Sequence, residues 1–217
     1  MPMLLERGNA VYGVALNFRA SLEALDGQLY QDPYKKPPQA PILYIRPHTT
    51  WNTHGAAIPL PAGVEALKMG GTLGIVIGRT ACGVKAQDAL DYVAGYTVVI
   101  DASIPHASYY RPAIRERCRD RFCSISLAMA ERNALPDPNQ VEVRIHINGE
   151  LRCTASTRDL VRPIETLLAD VTEFLTLRRG DILLAGEPHD APLARAGDHV
   201  QVDVDGFASL RCEVAAE

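Results

Sequence analysis

The residue most in need of a chemical account is Asp101. It ends Gly95-Tyr-Thr-Val-Val-Ile-Asp101, a run rich in β-branched residues that reads as a buried strand. A carboxylate there costs energy unless a positive group or a hydrogen-bond donor meets it. Asp101 therefore reads either as a ligand or polar anchor of a site, or as a hydrogen-bonded structural acid. A basic cluster follows at Arg111, Arg115, Arg117, Arg119 and Arg121. Such a cluster is a solvated face or partner surface, or else a clamp in which Arg117 and Arg111 grip the carboxylates of a small polyanionic substrate. His48, His54, His106 and His189 fall in loops, with no fixed spacing to a carboxylate that would mark a general acid–base pair. His146 and His199 fall in strands. The five cysteines, Cys82, Cys118, Cys123, Cys153 and Cys212, are odd in number and form no C-x-x-C pair, which suits reduced, buried thiols in a cytoplasm.

These residues need a scaffold, and the chain supplies strands more than helices. Met69 to Arg79 reads as a second buried strand, joined to the first by a short helix near Ala86 to Val93. Before them come a strand at Val11 to Leu16, a helical turn after Asn17, and a Pro-rich segment from Asp26 to Ala40 that is a surface loop or a lid. Ile42 to Arg46 is a strand, and Ala57 to Pro61 an extended edge. Val141 to Ile147 alternates with period two into Asn148-Gly149, a hairpin signal. Leu160 to Leu177 reads as the clearest helix, burying Ile164, Leu167, Leu168, Val171, Phe174 and Leu175 and stopping at Gly180. Strands at Asp181 to Gly186, His199 to Val204 and Ser209 to Val214 follow. The expectation is a β-rich α+β fold, mixed sheets rolled into a sandwich with a few short helices. It forms one domain over residues 1–217, with residues 1–10 as a lead-in.

The chain has 217 residues, enough to bury about 70% of its unfolded surface. A net charge of −4 argues against nucleic acid as a partner. There is no run of 18 apolar residues to cross a membrane, and no apolar signal-peptide core at the start, so a cytoplasmic location is expected.

Six motifs in order carry a resemblance: Ala15-Leu-Asn-Phe18, Ile75-Val-Ile-Gly78, Gly95 to Asp101, Asp120-Arg-Phe-Cys123, Asn148-Gly149 and Gly180 to Pro188. Together they resemble the fumarylacetoacetate hydrolase family, from about Tyr12 to Val214. Asp32-Pro-Tyr-Lys-Lys-Pro-Pro38 and Tyr109 to Arg115 most resemble one branch. That branch is the N-terminal half or subunit of the 4-hydroxyphenylacetate-degradation decarboxylase/isomerases. The resemblance implies decarboxylation of 5-oxopent-3-ene-1,2,5-tricarboxylate and isomerisation of 2-hydroxyhepta-2,4-diene-1,7-dioate, on small di- or tricarboxylate substrates. It also implies Mg²⁺ held by a Glu-x-Glu pair and a distant aspartate, a hard cation in an oxygen shell that stabilises an enolate.

Under that resemblance the two glutamates fall at Gly70 and Thr72, and only Asp101 survives. The family's histidine falls at Ser21, its paired glutamate near Ala24, its lysine at Arg117 and the threonine of its late Gly-Thr-Pro motif at Glu187. The implied catalytic set is Asn17, Arg117 and Asp101, and the implied substrate-binding set is Arg19, Arg111 and Thr157. Thr157 and Asp159 also read as a helix cap. No metal is expected on this chain alone. Three readings remain open: a subunit dependent on a metal-bearing sister chain of the family, a non-catalytic scaffold or homodimer, and a metal-independent enolate enzyme in which Arg117 replaces the cation.

Overall fold

The computed structural model describes residues 8–217, with Asp26 described in its backbone only. The first strands in chain order are β1 (Val11–Ala15), β2 (Ile42–Arg46), β3 (Trp51–Thr53), β4 (Ile58–Leu60) and β5 (Leu67–Ile77). Then come β6 (Val93–Ser103), β7 (Cys123–Ile125), β8 (Ala130–Glu131), β9 (Glu142–Ile147) and β10 (Glu150–Ser156). The last are β11 (Ile182–Leu184), β12 (Leu193–Ala194), β13 (His199–Val204) and β14 (Leu210–Ala216). Four short helices accompany them: α1 (Arg19–Glu23), α2 (Asp26–Leu29), α3 (Ile114–Arg117) and α4 (Ile164–Thr172).

Nine strands form a mixed sheet whose main path runs β2-β1-β11-β5-β6-β7-β3, and five form a second sheet in the order β10-β9-β13-β14-β4. One apolar core joins Leu73 and Ile75 of β5 and Val98 and Ile100 of β6 to Ile145 and Val202 of the second sheet. The α+β, β-rich expectation therefore holds. The sheets meet closely because β5 carries a glycine there: a Cβ at Gly71 would stand 2.9 Å from Ile145 and 3.0 Å from Val202. The two buried strands of the sequence reading, β5 and β6, are antiparallel neighbours with Gly70 directly opposite Asp101. Directly opposed residues share a face of the sheet.

Period-two readings were accurate, since a strand declares itself through its immediate neighbours. The β9–β10 hairpin turns at Asn148 and Gly149, both in the left-handed region at φ +53° and +82°. The helix expected over Leu160 to Leu177 is shorter. Pro163 caps α4, which ends at Thr172, and Phe174 is 60% exposed rather than on the buried face. Gly180 lies in the turn before β11, not at the helix stop. The linking helix is a 3-10 turn over Ala86–Tyr92. The Pro-rich segment begins as α2, and Leu25 and Leu29 pack with Leu16. Strands β3, β7, β8 and β12 are short and were not legible as strands. All five cysteines are free; Cys82, against expectation, is exposed.

Candidate functional site

Asp101 is fully buried and sits in a closed polar network. Arg46, at the end of β2 and 1% exposed, pairs one nitrogen with Asp101 Oδ1. Arg46 also donates to the carbonyls of Arg117 and of Ala102, the latter at 2.7 Å. The Tyr44 hydroxyl donates to Asp101 Oδ2, and Arg117 Nη1 lies 3.4 Å from the same oxygen. Arg117 Nη2 pairs with Glu187. Two guanidiniums and two carboxylates thus neutralise one another out of water. Geometry and added hydrogen bonds let such a group offset its desolvation.

Local sequence explains each approach. On β2 the period of two puts Tyr44 and Arg46 inside and leaves Ile45 at 49% exposure, an inversion of the usual apolar-in pattern. Tyr44 lies across Gly13 of β1, its register partner. A Cβ on Gly13 would stand 2.0 Å from the Tyr44 ring. The Arg117 guanidinium stacks on that ring at 4.3 Å. Arg117 turns inward at the end of α3, whereas Arg111, Arg115 and Arg121 stay exposed. The basic cluster is therefore a surface at three positions and a core ion pair at one.

Glu187 occupies the space that glycine leaves at position 70. A Cβ on Gly70 would lie 2.8 Å from Glu187 Oε2 and 3.0 Å from the Asp101 carbonyl oxygen. Oε2 itself is buried without a hydrogen-bond partner. Burial alone would raise the Glu187 carboxyl, but Arg117 beside it, with Lys68, brings it below its ordinary 4.5. Burial likewise drives the Tyr44 hydroxyl well above its usual range, and Asp101 adds to this. The Glu187 contribution to stability is thus present above about pH 4.5 and lost as the pH falls through the lower folded value. Glu187→Gln should accordingly show a shallower loss of melting temperature below pH 4.5 than the parent. A parallel acid limb in the two thermal titrations would refute the assignment.

The arrangement does not fit a divalent ion. A hard cation seeks about six oxygen ligands, yet Asp101 is the one carboxylate at the three positions the resemblance implies for a metal, and both its oxygens face donors. Among the described residues no three His, Cys, Asp or Glu side chains are grouped to hold a metal.

The expected site residues separate into different places. Asp101 and Arg117 are brought together. Arg111 joins Arg117 and Tyr44 in the wall of a cavity of about 140 Å³. Asn17 is 2% exposed, donates to the carbonyls of Ala185 at 2.8 Å and Arg162 at 3.4 Å, and accepts from the Arg162 amide. Thr157, 3% exposed, accepts from the Val141 amide at 2.9 Å. Both tie backbone segments together. Ser156, not Thr157, is the capping side chain there, accepting from the Arg158 amide. Arg19 donates to the Arg158 carbonyl and lines a separate surface depression with His189 and Asp190. His146 lies 3.2 Å from Asp203 on the second sheet, away from this network.

Tyr44 and Arg46 were missed by sequence reasoning. The available signal was the arginine ending an otherwise apolar strand, in phase with Tyr44.

Comparison with known proteins converges on one family. Residues 10–215 match the family model described as "Fumarylacetoacetate (FAA) hydrolase C-terminal". The chain is 38% identical over 207 residues to the "4-hydroxyphenylacetate degradation bifunctional isomerase/decarboxylase" of Escherichia coli, covering 95% of this chain and 47% of that protein. It thus spans about half the length of the curated relatives it matches first. The 5-carboxymethyl-2-hydroxymuconate delta-isomerase of Mycobacterium smegmatis superposes with a TM-score of 0.82 at 28% identity, over 100% of this chain and 81% of that one. A maleylpyruvate hydrolase from Sphingobium sp. SYK-6, solved with manganese(II) and pyruvate, shares the fold at a TM-score of 0.77 and 23% identity, over 95% of this chain and 70% of that one.

Proposed function

The chain belongs to the fumarylacetoacetate hydrolase family, and from that premise we propose that it works as the metal-free half of a decarboxylase/isomerase of 4-hydroxyphenylacetate degradation. A metal-bearing sister chain of the same family completes the enzyme. The observation that carries this reading is Arg46 on Asp101, with Glu187 in the space beside Gly70. Where the family resemblance implies three carboxylates around a cation, this chain presents a neutral ion-pair network. The names of the Escherichia coli relative and the Mycobacterium smegmatis structure support the reaction class.

Loss of carbon dioxide beside a carbonyl, and the shift of a dienol to an enone, both pass through an enolate that needs an electrophile. In this reading the sister chain supplies the electrophile and the proton-transfer groups. This chain supplies a rigid wall, held by Arg46, Arg117 and Tyr44, and the exposed Arg111 for a substrate carboxylate.

Two measurements test it. Mg²⁺ added to the lone chain should leave its melting temperature unchanged. Turnover of the tricarboxylate should appear on mixing with a Glu-x-Glu-bearing chain and fall with Arg111→Ala. Turnover by the isolated chain in excess EDTA would overturn the proposal in favour of a metal-independent enzyme. A mixture indifferent to Arg111→Ala would favour a scaffold.

A further inference from the structure

The cavity beside the ion-pair network is larger than a packing defect and is chemically furnished. Its volume of about 140 Å³ is close to the ~150 Å³ that accommodates benzene in an apolar protein interior. Ile42, Leu43, Tyr44 and Tyr109 supply apolar and aromatic wall. Two of its polar groups have hydrogen-bonding capacity that the protein leaves unused.

The first is Arg111. It lines the cavity, is exposed and forms no ion pair among the described residues. Arg117, the other cation in the wall, is committed to Glu187 and Asp101. The second is His106. Its Nδ1 lies 3.1 Å from the Ile104 carbonyl oxygen, which can only accept, so Nδ1 carries the proton. Nε2 in the neutral ring is then a bare acceptor, and it is buried without a partner. The Tyr109 ring holds the imidazole at 5.5 Å between centroids. The Tyr34 hydroxyl, from the Pro-rich segment, accepts from the Tyr109 amide at 2.8 Å and braces this loop.

We propose that this cavity is a metal-independent binding site for a monocyclic hydroxyaryl carboxylate. One free cation suits one carboxylate. The volume suits one flat ring against tyrosine. The bare Nε2 suits a phenolic O–H, since a carboxylate has no proton to donate to it. The inference extends beyond the dependent-half reading: a ligand bound here needs neither a metal nor a sister chain, and is not turned over.

The experiment is a calorimetric titration of the full chain in excess EDTA with 4-hydroxyphenylacetate, phenylacetate, 4-hydroxybenzyl alcohol and the acyclic diacid muconate. 4-Hydroxyphenylacetate should bind about tenfold more tightly than either analogue lacking one group, a gap of ~1.4 kcal/mol. Arg111→Ala should remove the preference over the alcohol, and His106→Phe the preference over phenylacetate. Thermal melts verify that each variant is folded. Should His106→Phe not fold, Arg111→Ala and the three-ligand comparison still decide. Equal binding of all ligands, no binding, tighter binding of muconate, or folded variants with the parent's preferences would each overturn the proposal. Failure of the mixed-chain turnover assay would leave this result untouched, so the two readings fail separately.

Discussion

Arg46→Met is expected to cost about 3–5 kcal/mol of folding stability, the usual penalty for removing one partner of a buried ion pair. Asp101 would remain fully buried, held only by Tyr44 and by Arg117 at 3.4 Å. Two carbonyls, of Arg117 and Ala102, would also lose their donor. Against a total stability of roughly 5–15 kcal/mol this is a large share, equivalent to a fall of about 6–20 °C in melting temperature for a chain of this size. The double variant Arg46→Met, Asp101→Asn removes the stranded charge and should recover part of the loss, so a double-mutant cycle by urea denaturation reads the coupling directly. If the single variant melts with the parent, the network is not what holds β2 to β6.

The second large effect is a gain. Gly70 lies opposite Asp101, and Thr72 is two residues along β5, so glutamates at both places would share a face with Asp101. Glu187 stands in the way, because its Oε2 lies 2.8 Å from where the Cβ of residue 70 would be. The triple variant Gly70→Glu, Thr72→Glu, Glu187→Thr should therefore acquire Mg²⁺-dependent stabilisation. At a concentration 100 times the dissociation constant the gain is about 2.7 kcal/mol, or roughly 5–11 °C. Gly70→Glu, Thr72→Glu with Glu187 retained should show none and should be less stable than the parent. Equal Mg²⁺ responses in the double and triple variants would refute the role given to Glu187.

The parts of the site that were legible in sequence are those whose evidence lies within a few residues. Asp101 stood out because an acid ending a β-branched run is locally inconsistent. Glycine at 70 and threonine at 72 stood out against the family pattern. Arg111 and Arg117, by contrast, read alike in a run of arginines. The outward and inward turns that make one a surface cation and the other a core ion pair depend on α3 packing beside β6, which no local period encodes. Asn17 stood in the implied catalytic set by the resemblance alone; that it also ties the backbone at Arg162 and Ala185 shows only in the fold. Helix length was misjudged for a similar reason. The apolar period continued to Leu177, but the helix ends at Thr172, and Leu177 reaches the core through a bridge to Ala81 instead.

By itself the sequence determined the β-rich α+β class and the two buried strands at the centre, which follow from periodicity and residue type, and its ordered motifs carried the resemblance to the family. Only the tertiary structure decided what surrounds Asp101: Arg46 from one strand and Arg117 from a loop helix meet on it, and Glu187 from beyond β11 pairs with Arg117. Charges distant in sequence find one another because burial makes an unpaired charge too costly to leave alone, and that cost is a property of the assembled core.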